Sequence, residues 1–277
     1  MRYLMLLMAL LMAGPAFAER VEVPGPDGVM LHARLVRPRG PAVAPAIVAL
    51  HGCGGAYPKR DREWTRLLAG AGHIMLFPDS FGSRGLHSQC RVTGRNRTVT
   101  SGGLRRRDAL ASAAWLAAQP GTPPGGVLLL GWSDGGSTVL AAGRASAAVP
   151  AGLLRGLVAF YPGCHGASVT PGWRPAAPLL ILMGESDDWT PAAPCHALAS
   201  TLPGAVTLVT YPGAYHDFDA PVPVRMLAAV PNSQRADKAV HVGGNPPARA
   251  DAMARVTAFI AGLPPIRGTA PVRPGAK

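Results

Sequence analysis

The sequence predicts an α/β fold, a mostly parallel central sheet with helices on both faces. Three observations carry that reading. Short unbroken apolar runs at residues 46–50, 127–130 and 179–183 have the length and composition of strands buried on both sides. Helix-length stretches lie between them, and alternating strands and helices build a parallel sheet. Finally, Ser133, Asp187 and His216 each follow directly on such a run or on the strand-like Val206–Tyr211, so all three are expected at the carboxyl ends of strands.

Taken in order, the chain opens with Arg2, an apolar stretch at residues 3–13 and Ala16-Phe17-Ala18. A charged start, a short hydrophobic segment and an A-x-A signal read as a secretory leader over residues 1–18, so export to the periplasm or the medium is expected. The apolar stretch is too short to span a bilayer, which takes about 20 residues. No stable membrane anchor is therefore expected after cleavage. Residues 19–263 are expected to form one domain and residues 264–277 a disordered tail. The alternating residues 21–36, interrupted by Pro26-Asp27-Gly28, read as an edge hairpin. Residues 46–50 and 73–77 read as strands, with an amphipathic helix over 60–71 between them that presents Trp64, Leu67 and Leu68 on one side.

Residues 78–103 are polar and glycine-rich, and a long loop of that kind tends to carry function. An alanine-rich helix is expected over 104–119, another over 136–148, and a strand over 156–160. Prolines at positions 191 and 247 open expected helices over 191–202 and 247–263, since proline suits a first helical turn. Residues 220–246 show no period and read as a surface excursion.

Gly131-Trp132-Ser133-Asp134-Gly135 sits between a strand and a helix, the context of a nucleophile elbow, whose tight turn leaves room only for glycine beside the serine. Serine needs a base to take its proton during attack, and His216 fits that role. A carboxylate behind the imidazole would hold its tautomer and stabilise the imidazolium. Asp187 is the expected acid, with Asp188 as the alternative; Asp217 and Asp219 are expected to point elsewhere. The Asp134 and Cys53 backbone amides are the expected oxyanion donors, the latter from His51-Gly52-Cys53-Gly54-Gly55. That segment has a plainer reading as a tight turn. Trp132 and Tyr161 are candidates to line the acyl pocket, or else core residues.

The chain carries a formal net charge of +12. The basic cluster Arg91, Arg95, Arg97, Arg105, Arg106 and Arg107 contains no aromatic residue to stack on bases, so no nucleic-acid partner is expected. It reads as a solvated basic face, or more specifically as attraction for an anionic substrate. Three arginines opening a helix oppose its dipole, so at least one should have an acidic partner. Cys53, Cys90, Cys164 and Cys195 are an even number in an exported chain, which favours disulfides. Three pairings exist. Loop positions favour Cys53–Cys90 and Cys164–Cys195, each contributing roughly 3–4 kcal/mol by restricting the unfolded chain. No C-x-x-C, H-x-H or H-x-x-x-H spacing is present, so His51, His87, His165 and His196 predict no metal site.

In its motifs the chain resembles the dienelactone hydrolase family of α/β-hydrolases, especially exported members. The likeness rests on Leu50-His51-Gly52-Cys53-Gly54-Gly55, Pro78-Asp79-Ser80-Phe81-Gly82-Ser83-Arg84-Gly85 and the elbow Gly131 to Gly136. It continues through Phe160-Tyr161-Pro162-Gly163-Cys164, then residues 184–195 and 211–218. It implies an α/β-hydrolase fold, a triad at Ser133, Asp187 and His216, and ester or lactone substrates without a cofactor. Dienelactone hydrolase proper resembles a cysteine enzyme at the elbow, and the serine here points to a general serine esterase. The expected function is hydrolysis of a small-molecule ester, lactone or related acyl bond. The alternatives are an amidase or peptidase with the same residues, or a non-catalytic binding protein on a hydrolase scaffold.

Overall fold

The computed structural model describes residues 17–146 and 148–264. The expected leader therefore lies outside the described residues apart from Phe17 and Ala18, and the expected tail apart from Pro264.

Eight strands form one sheet: β1 (Phe17–Pro24), β2 (Met30–Arg37), β3 (Val43–Leu50), β4 (His73–Pro78), β5 (Val127–Trp132), β6 (Leu154–Phe160), β7 (Leu179–Gly184) and β8 (Val206–Tyr211), in the order β1-β2-β4-β3-β5-β6-β7-β8. Only the β1–β2 and β2–β4 pairs are antiparallel. The other pairs are parallel. Every residue of β5 and β7 is buried, which is why those runs are continuously apolar rather than alternating.

Among the described residues six helices flank the sheet: α1 (Pro58–Gly70), α2 (Leu104–Ala117), α3 (Asp134–Ala142), α4 (His165–Val169), α5 (Ala193–Thr201) and α6 (Pro246–Ala261). Parallel crossovers are right-handed, so reversal of direction after β4 puts α1 on one face and α2 to α5 on the other. An ion pair between Glu63 and Arg249 joins α1 to α6. Helix α1 starts on a proline, carries Asp61 in its first turn and buries Trp64 and Leu68, four residues apart. Each of these favours a helix in that place and orientation.

Four local expectations change. The elbow helix was expected over 136–148, but α3 begins at Asp134 and ends at Ala142. It starts early because the chain turns at Ser133 alone. It stops early because Ala176 N–H donates to Gly143 O (2.7 Å) and Ala145 N–H to Arg174 O (2.9 Å), drawing the chain into a bridge. Helix α4 was not foreseen; five residues are too few to show a period. Residues 220–246 are more than an excursion: β9 (Arg225–Leu227) and β10 (Val240–Val242) form an antiparallel ribbon. Under it Val230, Val240 and Val242 make a small core with Trp189 and Leu227. Residues 78–103 contain two 3-10 turns, Gly82–Arg84 and Gly94–Asn96. Arg84 anchors this segment, pairing with the carboxylates of both Asp27 and Asp108 and donating to Ser80 O.

Both disulfides join the favoured pairs, Cys53–Cys90 and Cys164–Cys195. Among the described residues no helix is long and apolar enough to cross a membrane.

Candidate active site

Strand β5 delivers Ser133 to a turn where its backbone takes φ 55° and ψ −115°, a conformation a side-chain-bearing residue holds only when its surroundings impose it. The flanking glycines are the reason the turn can close. A Cβ at Gly131 would lie 2.3 Å from Gly135 O, and one at Gly135 would lie 2.1 Å from Leu50 O. Any other residue would push the elbow away from β3.

Strands β7 and β8 bring the other groups to the same edge. His216 Nε2 lies 2.8 Å from Ser133 Oγ, and His216 Nδ1 lies 2.7 Å from Asp187 Oδ2. The second carboxylate oxygen of Asp187 accepts the N–H groups of Trp189 (2.9 Å) and Thr190 (2.8 Å). This Asx-type turn fixes the carboxylate's orientation. The Thr190 hydroxyl also lies 3.0 Å from Asp187 Oδ2. Burial acts to lower the His216 pKa, but the charge and hydrogen bond of Asp187 outweigh it and raise it above 6.5. The ring packs against Tyr161 and Trp189, each with centroids 4.7 Å away.

Asp188, the alternative acid, is engaged elsewhere: it accepts from His241 Nδ1 (2.7 Å) and His241 N–H (2.9 Å), tying β10 to the end of β7. Asp219 points away from the serine, into the core. Fully buried, it accepts from Trp64 Nε1 (2.9 Å), Trp132 Nε1 (2.9 Å) and the Tyr161 hydroxyl (2.5 Å). Burial raises its carboxyl pKa against the opposing pull of Arg60 and these donors. Trp132 and Tyr161 therefore belong to the core under His216, and neither lines the cleft. Their polar edges are turned inward to satisfy a buried carboxylate.

The loop that carries Cys53 lies against the elbow, where a Cβ at Gly52 would meet Trp132 O at 3.4 Å and Ser133 Cβ at 3.6 Å. Gly52 O accepts from His51 Nδ1–H (2.8 Å) and Gly55 N–H (3.2 Å). Because the peptide is planar and trans, fixing that carbonyl fixes the Cys53 N–H in the opposite direction. Among the described residues neither the Cys53 nor the Asp134 N–H donates a hydrogen bond. His51 is thus more than part of a tight turn. Burial first, and the charge of Arg105 second, push its pKa down to about 3, so the ring stays neutral. Its Nε2 accepts from Ser80 N–H at 3.2 Å.

A cleft of about 260 Å³ opens on Ser133 and His216, lined also by Gly52 to Tyr57, Arg60, Trp189, Asp217, Arg225, Leu227 and Val242. The ribbon residues Arg225, Leu227 and Val242 escaped sequence reading because three-residue strands show no usable alternation. Arg60, given no role in the sequence analysis beyond opening the expected helix over 60–71, is buried, with its guanidinium 4.4 Å over the Trp132 ring. The basic cluster is not a uniformly solvated face. Arg105 is only 1 % exposed and pairs with Asp134, while Arg97 reaches the other oxygen of the same carboxylate. Among the described residues no group of three or more His, Cys, Asp or Glu residues is placed to hold a metal ion.

The model of the dienelactone hydrolase family matches residues 31–262. Among solved structures, a candidate dienelactone hydrolase from Klebsiella pneumoniae superposes with a TM-score of 0.67 at 19% identity, covering 90% of this chain and 100% of that one. A dienelactone hydrolase from Anabaena variabilis gives 0.62 at 20% identity, covering 90% and 98%. Thermogutta terrifontis esterase 2, phosphoramylated by tabun, gives 0.60 at 17% identity, covering 90% and 96%. At these identities the likeness is one of fold. No curated protein matches the sequence.

Proposed function

This chain belongs to the dienelactone hydrolase family, and from that premise we propose that it is an exported serine hydrolase of carboxylic esters or lactones. It is a hydrolase on an α/β-hydrolase fold. Ser133 is the nucleophile, His216 the base that takes its proton and returns it to the leaving alcohol, and Asp187 the group that holds the imidazole. The single observation behind this assignment is the unbroken relay from Ser133 Oγ through His216 to Asp187 at 2.8 and 2.7 Å.

Attack on an acyl carbon moves a lone pair onto the carbonyl oxygen, and the Cys53 and Asp134 amides are the donors that receive it. Each such donor is worth about 3–4 kcal/mol of barrier lowering. Collapse expels the alcohol and leaves an acyl-enzyme on Ser133. Water, deprotonated by His216, then releases the acid and restores the serine. The small cleft and its Trp189, Leu227 and Val242 wall favour a small substrate with an apolar portion. Export is supported by the leader-like start and by the two disulfides, which form and persist in oxidising compartments.

The test is turnover of a panel of p-nitrophenyl esters of graded acyl length, with matched anilides, by the purified chain and its Ser133→Ala variant. Ester hydrolysis that disappears in the variant supports the assignment. Retained turnover in a folded variant would remove Ser133 from the mechanism.

A further inference from the structure

Asp134 has two parts with separate tasks, and its side chain lies at the centre of a set of charges that turnover itself does not use. Its backbone N–H is one proposed oxyanion donor, while its carboxylate is shared by two guanidinium groups. Arg105, from the first turn of α2, pairs with Asp134 Oδ2 and donates from Nη2 to His51 O at 2.6 Å. Arg97, from the 78–103 segment, reaches Asp134 Oδ1 at 3.4 Å and donates to Gln89 O at 2.6 Å. Gln89 N–H in turn donates to Cys53 O at 2.7 Å, and Cys90 next to it is bonded to Cys53.

Two chains of contacts thus run from one carboxylate to opposite flanks of the same short loop. One reaches His51, two residues before Cys53; the other reaches Cys53 itself. Between those anchors lies the Gly52–Cys53 peptide whose N–H is the second proposed donor. The side chains of Arg105, Asp134 and Arg97 are about 1%, 10% and 13% exposed, so water screens these pairs far less than it would on an open surface.

We propose that the Asp134 carboxylate, with Arg97 and Arg105, is a positioning assembly that holds the two oxyanion donors at a fixed spacing. This rests on the serine-hydrolase reading above and deepens it. Neither guanidinium touches the reacting atoms, so the three side chains act through the backbone. Their effect is felt where the donors are most needed, on the tetrahedral oxyanion rather than on bound ester. Loss of the assembly lowers kcat and leaves KM nearly unchanged.

Asp134→Asn keeps the shape of the side chain and removes the charge that both arginines share. Arg97→Gln loosens only the Cys53 flank and leaves the buried Arg105 paired, so it remains informative if Asp134→Asn fails to fold. Three quantities are measured on each folded variant: kcat and KM on one activated ester, inhibition by an alkyl boronic acid whose adduct is tetrahedral, and endpoint labelling by a fluorophosphonate. A misplacement of about 1 Å costs about 10²-fold in rate, so kcat of Asp134→Asn should fall about 10- to 100-fold and that of Arg97→Gln by a smaller factor. KM should stay within about threefold, boronate inhibition should weaken in proportion to kcat, and labelling should remain complete. A folded variant with wild-type kcat, or a kcat loss without weaker boronate binding, would overturn the proposal. Absence of labelling in the wild-type chain would instead overturn the serine-hydrolase reading beneath it.

Discussion

Replacing Gly135 with alanine perturbs the proposed site at its tightest backbone contact. The added Cβ would sit 2.1 Å from Leu50 O and 2.6 Å from His51 O. A carbon–oxygen contact needs about 3.3 Å, so α3 and the end of β3 must part by about 1.2 Å. Neither atom belongs to a flexible side chain that could swing aside. Overpacking of this kind costs about 1–3 kcal/mol. At about 2–4 °C per kcal/mol for a domain of this size, the midpoint should drop by roughly 2–12 °C. The displacement also separates Ser133 and the Asp134 amide from the His51 to Cys53 loop, so kcat on an activated ester should fall by about 10². Thermal unfolding and initial rates measure both effects. Gly70→Ala, at the last turn of α1 with nothing within 4 Å of its Cβ, is the control and should leave both unchanged or gain slightly in stability. A Gly135→Ala enzyme with wild-type midpoint and kcat would refute the claim that contact between elbow and loop sets the site's geometry.

Asp187→Asn should lower kcat by about 10⁴, because the imidazole loses its partner and its tautomer. Asp188→Asn should leave kcat nearly intact and raise KM, since it frees His241 and with it the ribbon wall; steady-state kinetics on the two variants separates the roles. His216 must be neutral to accept the serine proton, so kcat/KM should fall as pH drops through its pKa, with the acid midpoint above 6.5. In Asp187→Asn the residual activity should show a lower midpoint, because the charge and hydrogen bond that outweigh burial are then gone. Replacing Cys164 and Cys195 together by serine should cost about 2–4 kcal/mol in denaturant unfolding while kcat stays unchanged, since that bridge ties α5 to the segment before α4, away from the cleft.

The parallel core was legible because β3, β5 and β7 are buried on both faces and leave continuous apolar runs. The positions of Ser133, Asp187 and His216 were legible because strand ends can be read from the same runs. Asp188 could not be separated from Asp187 by sequence: both follow β7, and only the turn that gives Asp187 the N–H groups of Trp189 and Thr190 decides which carboxylate faces His216. Trp132 and Tyr161 were pocket candidates because they adjoin the elbow and β6. The buried Asp219 that claims both is distant in sequence, and nothing local marks it as an acceptor. Arg105 shows a further limit. A helix opening on three arginines announces a conflict with its dipole, and that conflict predicted an acidic partner. It did not identify Asp134, since α2 and α3 meet only in the folded chain.

The most direct test of the account is peptide mapping after reaction of the wild-type chain with a fluorophosphonate. One stoichiometric adduct is expected, on Ser133, forming at a rate greatly reduced in His216→Ala. An ester-hydrolysing enzyme that carries its adduct on another residue, or that stays unmodified while turning over substrate, would contradict it.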